Sequence, residues 1–139
     1  MEKTIITVEV LVAAPVVKVW EYWTDPAHII QWNNASDDWH TPRATNDLHV
    51  GGKFNYRMEA KDGSFGFDFE GTYTVVDLYQ KIEYNIIDGR EVKINFMQEG
   101  DLCKVVESFE AENQNSIELQ RGGWQAIINN FKKHVEATP

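Results

Sequence analysis

Cysteine is almost missing. Cys103 is the only one in 139 residues, so no internal disulfide can form and no cysteine pair is available to a zinc site. Basic runs are missing as well: the longest is the Lys132-Lys133 pair, and 13 Lys and Arg face 22 Asp and Glu, for a formal charge of −9. Recognition of a phosphate backbone needs a concentrated basic face, so no nucleic-acid partner is expected. No apolar run approaches the roughly 20 residues of a membrane-spanning helix. The most apolar stretch, residues 8–19, is broken by Glu9, Pro15 and Lys18, and no membrane insertion is expected. Met1 is followed by charged Glu2 and Lys3 and then a strand-like run instead of a secretory core, which points to a cytoplasmic address.

Motifs of catalysis and cofactor binding are equally scarce. Gly51-Gly52 and Gly122-Gly123 lack the spacing of either nucleotide fingerprint, and both read as structural. His28, His40, His49 and His134 include no i, i+4 pair, so no metal site is expected. Ser36, Ser64, Ser108 and Ser116 lie in no nucleophile motif. Cys103 has no local base and reads as a small core residue. No cofactor is expected, and a non-enzymatic role is favoured over catalysis.

What the chain does contain is alternation. Residues 4–12 place Ile6, Val8, Val10 and Val12 on one face, a half-buried strand. Pro15 suits the first turn of a short helix carrying Val16, Val19, Trp20 and Trp23, and Asp25-Pro26 repeats the start signal for a second, with Ile29, Ile30 and Trp32. After a polar loop at residues 33–38 come further strands: an irregular one over 39–50, then 53–60, 65–76, 81–87, 91–97 and 102–111. Turn residues separate them, Asp62-Gly63 being a hairpin signal, and Gly71 marks a bulge or a close approach.

The period changes at Asn115. Asn115-x-x-Glu118 resembles a capping box, and Ile117, Trp124, Ile127, Ile128, Phe131 and Val135 trace one face of a helix of about twenty residues. A glycine in a helix interior costs about 1 kcal/mol relative to alanine, so Gly122-Gly123 suggests that sheet or ligand approaches there, or that the helix bends. A meander with one apolar face needs a cover, and only this helix is long enough. The expected fold is therefore α+β: a curved antiparallel sheet of about six or seven strands wrapped around a long C-terminal helix, with two short helices after strand one. No linker, repeat or low-complexity segment interrupts residues 1–139, so one domain is expected.

Several strings in this order resemble the helix-grip (START-like, SRPBCC) superfamily, and more narrowly its bacterial branch related to the activator of heat-shock protein 90 ATPase. They are V-E-V-L-V-A-A-P at 8–15, V-W-E-Y-W-T-D-P at 19–26 with Trp32 following, G-G-K-F-N-Y at 51–56, F-E-G-T-Y at 69–73 and G-W-Q-A-I-I-N-N-F at 123–131. The resemblance covers nearly the whole chain and implies the helix-grip fold. It also implies, as typical occupants of the grip, apolar or amphipathic small molecules; a few such domains are aromatase/cyclases or co-chaperone modules.

Five Trp, five Tyr and seven Phe are a large supply of rings for this length, and several fall on strand faces that the helix must cover. Rings there either fill the core or line a pocket. The cavity candidates are Trp39, Phe54, Tyr56, Phe67, Phe69, Tyr84, Phe96, Phe109, Trp124 and Ile128, with Arg121 at the cavity mouth. Arg121 and Glu118, three apart, read first as an ordinary surface ion pair. Glu107 shares parity with Val105 and Phe109: an inward phase would make it a candidate acid or base with Tyr56 or Tyr84. The outward phase, which keeps the carboxylate in water, is the expectation.

The leading expectation is a non-catalytic domain that encloses an apolar or amphipathic small molecule between sheet and C-terminal helix. The alternatives are a co-chaperone-like interaction module with a chaperone partner, implied by the resemblance, and a cyclase or hydrolase acting in the cavity through Glu107.

Overall fold

The computed structural model describes residues 3–138. Its elements are β1 (Ile5–Val12), α1 (Val16–Thr24), α2 (Pro26–Trp32), β2 (Trp39–Asn46), β3 (Lys53–Ala60), β4 (Gly66–Asp77), β5 (Lys81–Ile86), β6 (Glu91–Glu99), β7 (Leu102–Glu110) and α3 (Ile117–Ala137). The strands form one curled sheet in the order β1-β7-β6-β5-β4-β3-β2, every neighbour antiparallel. Consecutive hairpins account for the run from β2 to β7. Only β1 crosses, and it pairs with the last strand.

Hairpin chemistry is local. Asp62 Oδ1 accepts from the Ser64 amide and Asp88 Oδ1 from the Arg90 amide, with Gly63 and Gly89 at positive φ between strands. β2 stops short of residue 50 because the chain turns after Asn46, where the His49 amide donates to Asp47 O and the Gly52 amide to His49 O. Its irregularity lies inside the strand, where Pro42 supplies no amide and the β2–β3 register slips between His40 and Arg43. Gly71 is a close approach and not the bulge: a Cβ there would meet Asn85 O at 2.5 Å and the Phe54 ring at 2.9 Å. The register shift of β4 falls between Tyr73 and Val75.

α2 starts as its sequence predicts, with Asp25 Oδ1 accepting from the Ala27 amide. α3 starts differently. Its cap is Ser116, whose hydroxyl accepts from the Leu119 amide, while Asn115 is held by Glu112. The glycine pair also departs from expectation: an added Cβ at Gly122 or Gly123 meets nothing within 4 Å, and α3 continues without interruption. No sheet atom approaches the helix there.

α3 lies across the concave face as a grip. Phe131, Ile128 and Val135 are fully buried, and Phe131 packs edge-on between Trp23 and Trp32 with 4.9 Å between centroids in each pair. Polar contacts fix the helix at both ends. Gln120 Oε1 accepts from the Glu112 amide at 2.9 Å, and near the far end Lys132 Nζ donates to Leu11 O at 2.8 Å. Asn130 Nδ2 donates to Trp32 O at 3.0 Å, tying α3 to α2. No helix among the described residues is long and apolar enough to cross a membrane.

Candidate functional site

Curved sheet and straight helix do not meet everywhere. Between them lies a cavity of about 170 Å³, lined by Trp23 and Trp32 from the short helices, Asn33 beyond α2, Tyr56 and Met58 of β3, Phe67, Phe69 and Tyr73 of β4, Ile82 and Tyr84 of β5, Glu107 of β7, and Trp124 and Ile127 of α3. Eight of these thirteen residues are aromatic, and the only titrating carboxyl is Glu107.

Strand parity brings them together. β3 and β4 pair Tyr56 with Phe69 and Met58 with Phe67, and β4 and β5 pair Tyr73 with Tyr84, so these side chains form adjoining rows on one face. Rings behind the lining hold it in place. Phe54 is 4.7 Å from Tyr84, 4.9 Å from Tyr56 and 5.4 Å from Tyr73, centroid to centroid. Phe109 stacks face to face on Trp124 at 3.8 Å.

The phenols are donors, not bases. Burial pushes the Tyr56 and Tyr84 hydroxyls well above their ordinary value and that of Tyr73 up to about 12, so all three keep their protons at neutral pH. Tyr73 OH donates to Asn46 Oδ1 at 2.5 Å, and Asn46 Nδ2 donates to Thr24 O at 2.7 Å, a chain that anchors the end of α1 to the cavity wall.

Glu107 overturns the expected phase. It is 6% exposed, between buried Val105 and Phe109 on its own strand, and opposite Ile94 on β6 and Val8 on β1. Cys103, Val105 and Phe109 share its face, and turning the strand to expose one carboxylate would expose all three. Burying an apolar side chain is worth about 1.5–3 kcal/mol each, so the apolar majority decides the register. Among apolar neighbours burial alone pushes the carboxyl up to about 8. No hydrogen-bond partner faces it among the described residues, and no fully enclosed side-chain polar atom is left unpaired, so its oxygens open onto the cavity.

Of the predicted cavity residues, Tyr56, Phe67, Phe69, Tyr84 and Trp124 line it. The others do not. Phe54 and Phe109 are supports behind the wall, and Phe96 is buried against Trp20 and Trp23. Ile128 points into solid core while its neighbour Ile127 meets the cavity. Trp39 packs against Phe65 and Phe67 at 6.0 Å, outside the lining. Arg121 is not among the lining residues: it lies half-buried, with Nη1 2.7 Å from Glu118 Oε1.

Sequence reasoning passed over Trp23, Trp32, Asn33, Met58, Tyr73, Ile82 and Ile127 as lining. Met58 and Tyr73 had a signal, since both share parity with named residues. Trp23 and Trp32 stood on helical stripes that could equally have been core. Asn33 had none; it is fixed by a contact with β2, its Nδ2 donating to Thr41 Oγ1 at 3.2 Å.

Residues 13–136 match the family described as Activator of Hsp90 ATPase homolog 1-like protein. The solution structure of the AHSA1-like protein from Aeromonas hydrophila is 44% identical, with a TM-score of 0.90 over 96% of this chain and 93% of that one. A solution structure from Cytophaga hutchinsonii is 54% identical, with a TM-score of 0.83 over 95% and 92% of the two chains. A Nitrosomonas europaea crystal structure at 17% identity, TM-score 0.82 over 96% and 94%, shares the fold. No curated protein matches.

Proposed function

The chain belongs to the family of Activator of Hsp90 ATPase homolog 1-like proteins, and on that premise we propose that it is a non-catalytic binding domain that reversibly encloses one compact apolar or amphipathic molecule. The observation that carries this reading is the ring-lined cavity between sheet and α3, with Glu107 the only titrating carboxyl in its wall. An apolar cavity of about 150 Å³ accommodates benzene, so about 170 Å³ suits one ring with a short substituent. Burial of apolar ligand surface supplies the driving force at roughly 25 cal/mol per Å². Phe67, 39% exposed, carries the lining out to the surface and marks the entry side.

Titration of the labelled protein with single-ring compounds tests this. Expected are specific shifts at Tyr56, Phe67 and Trp124; a screen that leaves all three unmoved sinks the reading. The family description also supports a co-chaperone-like module, for which the charge of −9 offers a basic partner a surface. A pull-down with a bacterial heat-shock protein 90 homologue and an ATPase assay separates the two: binding with a rate change favours the module.

The inward carboxyl favours a second reading, a cyclase or hydrolase. A carboxyl that keeps its proton at neutral pH can protonate a ligand oxygen, and the Tyr84 hydroxyl shares the same cavity. Turnover lost in Glu107→Gln with ligand binding retained would establish it; binding without turnover leaves enclosure.

A further inference from the structure

We propose that the cavity is a receptor for a compact organic ammonium, a primary or secondary amine attached to one aromatic or short aliphatic group, with its cationic head on Glu107. This rests on the enclosure reading and deepens it. Three features point the same way. The only titrating carboxyl in the lining is buried, faces the cavity and lacks any hydrogen-bond partner among the described residues. A buried carboxyl is stable only when protonated or paired, and none of the described residues lining the cavity is a cation. No Lys, Arg or His of the described residues lines the cavity, so a ligand anion would find no countercharge there.

The rest of the wall suits the same guest. Ring faces carry negative potential and attract an ammonium, most strongly when water is excluded. Trp23, Trp32, Phe69 and Trp124 bring such rings to the cavity. The formal charge of −9 adds long-range attraction for a cation.

Protons must balance on binding. The titratable groups sharing the cavity with Glu107 are the phenols of Tyr56, Tyr73 and Tyr84, all held protonated. Glu107, pushed up to about 8, carries its proton in about nine molecules of ten at pH 7. An ammonium that arrives charged pairs with the carboxylate, so the carboxyl proton leaves to solvent and close to one proton is released per amine bound.

Phenethylamine, 2-phenylethanol and phenylacetate have one ring and nearly the same size, and differ in charge. Calorimetric titration at pH 7 in phosphate and in Tris, buffers of different ionisation enthalpy, reads affinity and proton release together. Phenethylamine is expected to bind about tenfold or more tighter than 2-phenylethanol, with proton release, and phenylacetate to bind weakest. Glu107→Gln, which keeps the side-chain shape, is expected to abolish both the amine's advantage and the proton release. An amine that binds no tighter than the alcohol, releases no proton, or is outcompeted by phenylacetate overturns the proposal while leaving enclosure standing. If none of the three binds, both readings fall.

Discussion

His28 Nδ1 lies 2.9 Å from His134 Nε2, a ring-to-ring hydrogen bond that fastens α2 to α3, and Tyr22 of α1 stacks on His28 at 3.7 Å. Burial first, then the neighbouring His28 and Lys18, holds His134 below its ordinary value of 6.5. Its neutral form is the native one. The stability attached to it is present above pH 6.5 and lost as pH falls through the lower folded value. Melting curves between pH 7.5 and 5.5 should show His134→Gln losing less on acidification than the parent. Parallel curves for the two proteins would count against the linkage.

Glu107 acts in the opposite sense, so only the comparison of variant with parent isolates either group. Its folded value of about 8 lies above the ordinary 4.5. The native state therefore has its full stability below about pH 4.5 and loses it as pH rises through 8. Each pH unit between the two values costs about 1.4 kcal/mol. Glu107→Gln should gain about 3 kcal/mol over the parent at pH 7 in urea denaturation, and nothing at pH 4. An equal difference at both values would show that the carboxyl is not buried as a neutral acid.

Phe131 is fully buried between Trp23 and Trp32. Phe131→Ala removes the ring that joins α3 to both short helices and should cost about 3–5 kcal/mol. Chemical denaturation measures it. A loss below 1 kcal/mol would mean that the helices hold together without the grip.

Two kinds of glycine predict opposite outcomes. Gly123→Ala on the open face of α3 should stabilise by up to about 1 kcal/mol, since nothing crowds the new methyl group. Gly71→Ala drives a methyl group into Asn85 O and the Phe54 ring. That substitution should destabilise by about 1–3 kcal/mol. Thermal unfolding of the pair reads both signs.

The architecture was legible because each element announces its period. Strand alternation and the apolar stripe of α3 are local properties, and the sheet order follows from consecutive hairpins plus one crossing strand. The cavity was legible by face but not by depth. Parity places Tyr56 and Phe54 together on β3, yet Gly71 lets the Phe54 ring sink behind the wall while Tyr56 stays at its surface. Ile127 and Ile128 differ by one residue, and about 100° of helix rotation separates cavity from core. Glu107 was misread because one carboxylate was given more weight than the three apolar side chains beside it.

The crossing strand has a consequence for how the chain is made. β1 pairs with β7 from Ile5–Glu110 to Val12–Cys103, so its partner leaves the ribosome about a hundred residues later. At roughly 5–20 residues per second, that leaves β1 unmatched for about 5–20 seconds of synthesis. Throughout that interval Ile6, Val8 and Val12, which end up fully enclosed, belong to a nascent chain with no sheet to join. Beginning the coding sequence at α1 and moving β1 to the end, behind a linker long enough to reach back, would shorten that exposure without altering a contact in the finished molecule.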